Sequence, residues 1–152
     1  MVDVVLDWDV ERQRYDELLA RAGRSSLLQD WAWGEAKAQA GEGAPRRAVV
    51  SVGGSDVAVV QLLVRRMGPV VVARLNRGPV WLDDGAGTEV KGAVLRCLAA
   101  SWRWWRGSVL MAAPEIPDGP QGSAIVAAAG MRRRRVPLGS IWNRHRTPCG
   151  RG

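Results

Sequence analysis

Residues 46–66 read RRAVVSVGGSDVAVVQLLVRR, two β-branched apolar runs joined by Gly53-Gly54-Ser55-Asp56. Glycine adopts the positive φ angles that a tight hairpin turn requires, so the stretch predicts two antiparallel strands closed at the glycine pair. A third run, VVVARL, follows Met67-Gly68-Pro69 and extends the hairpin to a three-stranded meander. Upstream, residues 2–8 read as a short strand. A first helix is expected after Asp9, with Val10, Leu18 and Leu19 inward and Gly23 closing it.

Ser26 and Gln29 have the spacing of a capping box, which places the start of a second helix at about Leu27 and its end at Ala40, before Gly41 and Gly43. Its inward side is expected to carry Leu27, Trp31 and Ala38. Downstream, NRGPVWLDDGAG reads as a loop. From Thr88, the expected N-cap, the residues Val90, Val94, Cys97, Leu98, Trp102 and Trp105 form one apolar helical stripe. SVLMAAPEI is a buried-strand pattern, PQGSAIVAAAG a small-residue helix and MRRRRVPLGSIW a last strand. The order β-α-α-β-β-β-α-β-α-β predicts an α+β domain of two or three layers, a mostly antiparallel mixed sheet flanked by helices. It spans residues 1–142. The remaining NRHRTPCGRG, 143–152, has no apolar residue but Cys149 and is expected to be an irregular tail, read either as a plain disordered end or as a truncation or change of reading frame.

Composition removes several functions. The net charge of +7 comes from twenty arginines and two lysines, Lys37 and Lys91, against 15 carboxylates. Arg144, Arg146 and Arg151 in the tail supply three of those charges. The arginines of Arg132–Arg135 would alternate between the faces of a strand, so at most two could meet one partner. A DNA-binding role is not expected. Cys97 and Cys149 have no metal-ligand or redox spacing and His145 is the single histidine, so neither a zinc site nor a histidine-based triad is expected. No basic-then-apolar leader opens the chain and no apolar run approaches the roughly 18 residues of a membrane span. The expected location is the cytoplasm, with at most peripheral membrane contact.

Two stretches carry candidate chemistry. In the second helix Trp33 and Lys37, four residues apart, share a side. Lys37 reads either as a ligand-binding cation or as an exposed side chain paired with Glu35. In the loop, Arg77 offers a planar fork of donors for phosphate or carboxylate, Gly78 lets the backbone approach a partner closely and Pro79 stiffens it. A pyrophosphate loop for acetyl-CoA, Q/R-x-x-G-x-G/A at a helix start, begins at Arg65 but fails, because Pro69 removes an amide and Val70 stands where glycine or alanine is needed.

SSLLQDWAWGEAK (25–37) followed by ARLNRGPVWLDD (73–84) resembles the N-terminal half of the Fem family of peptidoglycan interpeptide-bridge aminoacyltransferases, over about residues 25–142. The resemblance implies a GNAT-like acyltransferase fold and transfer of an aminoacyl group from aminoacyl-tRNA to the stem peptide of a nucleotide- or lipid-linked cell-wall precursor. It implies no cofactor beyond aminoacyl-tRNA as co-substrate. Gln29, Trp33 and Lys37 match the family's Q-x-x-x-W-x-x-x-K helix, whose lysine is associated with the precursor's diphosphate. Arg77, Gly78 and Pro79 border that pocket, and the acidic residue that follows falls at Asp83, displaced by about one position. No catalytic residue is implied. Family members have two such domains, so precursor binding is expected of this chain and complete transfer is not. The alternatives are a free-standing GNAT acetyltransferase and a non-catalytic binding module.

Overall fold

The computed structural model describes residues 1–132 other than 84, 104 and 105. The 46–66 stretch forms the centre of a six-stranded sheet. Strand β2 (Ala44–Val52) pairs antiparallel with β3 (Ser55–Met67) through Gly53 and Gly54, both at positive φ. Strand β4 (Val70–Asn76) continues the meander, turning at Gly68. An edge strand, β1 (Val4–Asp7), pairs with β2, and β6 (Ser108–Ala113) pairs parallel with β4. The order is β1-β2-β3-β4-β6, with β5 (Val80–Trp81) pairing with β3 off that path. The sheet is therefore mostly antiparallel with one parallel pair, which the crossover through α3 (Thr88–Ser101) makes possible.

Both faces of the sheet are covered, which is why β2 and β3 read as continuous apolar runs and not as alternation. On one face Ala48, Val50, Ala58, Val60 and Leu62 pack against Val94, Leu95 and Leu98 of α3 and Ile125 of α4 (Pro120–Ala128). On the other, Val49, Val59 and Val80 meet Tyr15 and Leu18 of α1 (Arg12–Arg21). The result is three layers. No helix among the described residues is long and apolar enough to cross a membrane.

Several local expectations are corrected. Helix α1 ends at Ala22 in an extended conformation, without a left-handed glycine. The N-cap of α3 is Gly87, and Thr88 is its first residue, with Oγ1 accepting from Gln121 Nε2. The second helix is broken. A 3-10 turn (Leu27–Gln29) precedes α2 (Trp31–Gln39), because Asp30 is extended and its carboxylate accepts the Ala32 N–H at 2.8 Å. Leu27 is 73% exposed and Ala38 is exposed, so neither is core. The "loop" after Asn76 contains β5. Met131 and Arg132, which open the expected last strand, are not in a strand; the rest of it to residue 142, Trp105 and the 143–152 tail lie outside the described residues.

Candidate functional site

The site is organised by the residue expected to close a capping box. Ser26 Oγ accepts from the Leu28 N–H, but Gln29 is fully buried and turns into the sheet. The β3–β4 ladder stops at Leu62 and Leu75, and β5 joins β3 only at Val59. Gln61 sits in the gap. There the Gln29 carboxamide pairs with Gln61 as a strand residue would: the Gln61 N–H donates to Oε1 at 2.7 Å, and Nε2 donates to the Gln61 carbonyl at 3.0 Å. The same Nε2 donates to the Asn76 carbonyl at 2.7 Å.

That bond fixes the end of β4, and the RGP turn leaves from it. Gly78 packs so closely on Gln29 that an added Cβ would lie 2.9 Å from its Cδ and Nε2 and 2.8 Å from Leu75 Cδ1. Only glycine fits. Arg77 adopts φ 51°, a left-handed conformation that costs a non-glycine residue about 1–2 kcal/mol. Such residues concentrate at binding sites, where surrounding structure imposes them. Its N–H donates to the Ala113 carbonyl and its guanidinium donates to Glu115 Oε1 at 2.8 Å.

A second layer of polar contacts supports the clasp. The Gln61 carboxamide donates to the Leu28 and Asp30 carbonyls, at 3.3 and 2.8 Å, and accepts from Arg47 Nε at 2.7 Å. The Tyr15 hydroxyl donates to the Gln29 carbonyl at 2.9 Å. Burial raises the Tyr15 phenol above its ordinary range; Arg47 acts in the opposite sense, and Asp30 and Asp16 reinforce the rise. A group held protonated by the fold stabilises it fully below its unfolded pKa, about 10, and that contribution is lost as pH rises beyond it. Urea midpoints should therefore fall more steeply above about pH 10 in the parent than in Tyr15→Phe. Tyr15 is the single tyrosine, so phenolate absorbance reports it alone. Phenolate appearing while the fold persists would contradict this account.

A cavity of about 180 Å³ opens beside the RGP turn. Arg24, Ser26, Arg77, Trp81, Lys91 and Glu115 line it. Lys91 Nζ lies 5.6 Å from the Trp81 ring centroid. Three cations thus face one carboxylate, and among the described residues no ion pair holds Arg24 or Lys91.

Of the expected site residues, Arg77 lines this cavity, with Pro79, and the buried Gly78 forms the turn beside it. Lys37 does not line it. Lys37 sits in the last turn of α2, with Nζ 5.6 Å from the Trp33 ring centroid and 2.9 Å from Glu42 Oε2. Its partner is Glu42, whereas Glu35 pairs with Arg47. Asp83 is exposed and closes its own turn, accepting the Gly85 N–H at 2.8 Å. Arg24, Trp81, Lys91 and Glu115 were not singled out in the sequence. The scarcity of lysine was the signal that could have found Lys91. A wider depression of about 630 Å³ beside Trp8 and Trp31 contains none of the expected residues. Arg65–Val70 forms the β3–β4 hairpin and not a helix start, so no acetyl-CoA loop exists there.

No protein-family model matches the sequence, and no curated protein does. Among solved structures the fold is similar to that described as the crystal structure of FemX, with a TM-score of 0.62 and 21% identity. The similarity covers 84% of this chain and 31% of that one, so the chain spans less than a third of FemX's length. The architecture is thus Fem-like.

Proposed function

We propose that this chain is a Fem-type, GNAT-like domain that recognises a peptidoglycan precursor and serves aminoacyl transfer from aminoacyl-tRNA to its stem peptide. The observation that carries this reading is the cationic cavity at Arg77-Gly78 within a Fem-like fold. The precursor is a nucleotide- or lipid-linked stem peptide, anionic along its length, and the site offers charge-assisted donors to it. Lys37, beside Trp33, is assigned to the precursor's diphosphate, and its present partner Glu42 is 40% exposed and free to rehydrate when phosphate arrives. Arg77 is assigned to a further part of the same ligand. Asp83 is assigned to the rim of the site, at the far end of the loop that starts with Arg77. The domain works in the cytoplasm, where nucleotide-linked precursors are made.

Calorimetric titration with a uridine-diphosphate-linked sugar peptide tests the reading. Charge-assisted bonds worth about 1.5–3 kcal/mol each imply a tenfold or greater weakening in Lys37→Ala and in Arg77→Ala. Binding itself should be micromolar to millimolar, since two such contacts offset only part of the freedom lost on association. Equal affinity in the parent and both variants would sink the assignment.

A further inference from the structure

We infer that the Arg77 cavity holds the free carboxylate at the end of a peptide, and not a phosphate group. This deepens the precursor reading and rests on it for the native ligand, by assigning which part of that ligand enters here.

Three features favour a carboxylate. The lining offers two kinds of surface: Arg24, Arg77, Lys91 and Ser26 are polar, while Pro79, Val80, Trp81 and Pro117 are apolar. A carboxylate joined to a short aliphatic residue satisfies both kinds. A diphosphate would set charged oxygens against the apolar wall, where nothing replaces their hydration. The size agrees, since about 180 Å³ admits one small residue with its carboxylate. Finally, the fork of Arg77 is already engaged by a carboxylate, Glu115 Oε1 at 2.8 Å. Arg77 and Glu115 are 62% and 48% exposed, so this pair is weak and readily exchanged for an incoming carboxylate. Glu115 is then a built-in competitor for the position the ligand takes, and the excess of cations over carboxylates in the lining leaves charge for one more anion.

The lysine content supplies a direct readout. Lys37 and Lys91 are the two lysines, so a selectively labelled sample gives two side-chain NMR signals, one in this cavity and one outside it. Acetyl-dialanine as free acid, its C-terminal amide and inorganic pyrophosphate are the probes. The free acid should shift Lys91 and leave Lys37 still, and the amide should bind at least about tenfold more weakly, the loss of one charged hydrogen bond. Arg77→Gln and Lys91→Gln should each weaken the free acid by a similar factor, and both residues are at the surface, so the fold should survive. Glu115→Gln, which removes the competitor, should tighten it about threefold, as expected for an exposed pair.

Equal binding of amide and acid would overturn the inference, as would no binding of the acid, or pyrophosphate shifting Lys91 at lower concentration than the acid. The whole precursor separates this from the preceding reading. If it binds through Lys37 with Lys91 unmoved, the carboxylate site is wrong and the precursor reading stands. If acetyl-dialanine shifts Lys91 and the precursor is ignored, the carboxylate site stands and the precursor reading is wrong.

Discussion

Gln29→Leu should lower the unfolding free energy by about 3 kcal/mol or more, a large part of the roughly 5–15 kcal/mol typical of a domain. Leucine keeps the volume but offers nothing to the Gln61 N–H or to the Gln61 and Asn76 carbonyls, which meet the carboxamide at 2.7, 3.0 and 2.7 Å. Each buried group left unpaired costs about 1–3 kcal/mol, while the gain from burying leucine in place of an amide offsets only part of the sum. Gln29→Glu sharpens the test. A carboxylate there would face two carbonyls, so its folded-state pKa is raised and the protonated form, which can donate once, is the tolerated one. Its stability should be greatest below the unfolded carboxyl pKa, about 4.3, and fall as pH rises beyond it, relative to a parent measured at each pH. Urea unfolding followed by tryptophan fluorescence reads both variants. A loss under about 1 kcal/mol in Gln29→Leu would mean that water or a shifted strand end satisfies those groups and that the clasp is not what holds the turn.

The sheet was legible in the sequence because its signals are local. β-Branched runs broken by Gly53-Gly54 and Gly68 specify strands and turns without reference to anything distant, and the stripe through Val94 and Leu98 specifies α3 in the same way. The clasp was not legible, because its partners are 32 and 47 residues away and its sequence signature matches that of a capping box. Ser26 and Gln29 have the right types and spacing for a helix start; what decides against it is the gap left where β4 parts from β3, which exists only in the folded sheet. Gln61 was hidden for the related reason that one polar residue inside VAVVQLLV looks like a flaw in a strand, when it is the strand's anchor for α2. The RGP turn was legible as a turn with an anion-binding side chain. Its cavity was not, since Arg24, Lys91 and Glu115 come from three other segments and meet only through the crossover of the chain.

Arg47→Met should cost about 2–4 kcal/mol, whereas Glu35→Gln should cost less than about 1 kcal/mol, although the two residues form one ion pair at 2.9 Å. The asymmetry follows from where each partner sits. The Arg47 side chain is 8% exposed and that of Glu35 is 48% exposed, so Glu35 meets water at its end of the pair, and a glutamine there still offers a carbonyl oxygen to the Arg47 guanidinium. Arg47 also donates to Gln61 Oε1 at 2.7 Å and to the Trp31 carbonyl at 3.0 Å, and its guanidinium lies 3.7 Å from the Trp31 ring centroid. Methionine fills the space but leaves Gln61 Oε1 without its donor, and the Trp31 carbonyl, the first of α2, keeps only its place in the helix. Gly34 passes directly over them; an added Cβ there would lie 2.7 Å from the Arg47 guanidinium, so only glycine lets α2 lie this close. Removing the arginine therefore releases the Gln61 carboxamide, and through Gln61 the Gln29 clasp, so part of the loss is shared with that of Gln29→Leu. The double variant should fall short of the sum of the single losses by about 1 kcal/mol or more, as expected for residues within one hydrogen-bonded network. Strict additivity would mean that Arg47 stabilises α2 alone and does not act on the RGP turn. A Glu35→Gln loss equal to that of Arg47→Met would mean that the charge pair, and not the hydrogen bonds behind it, holds this corner of the fold.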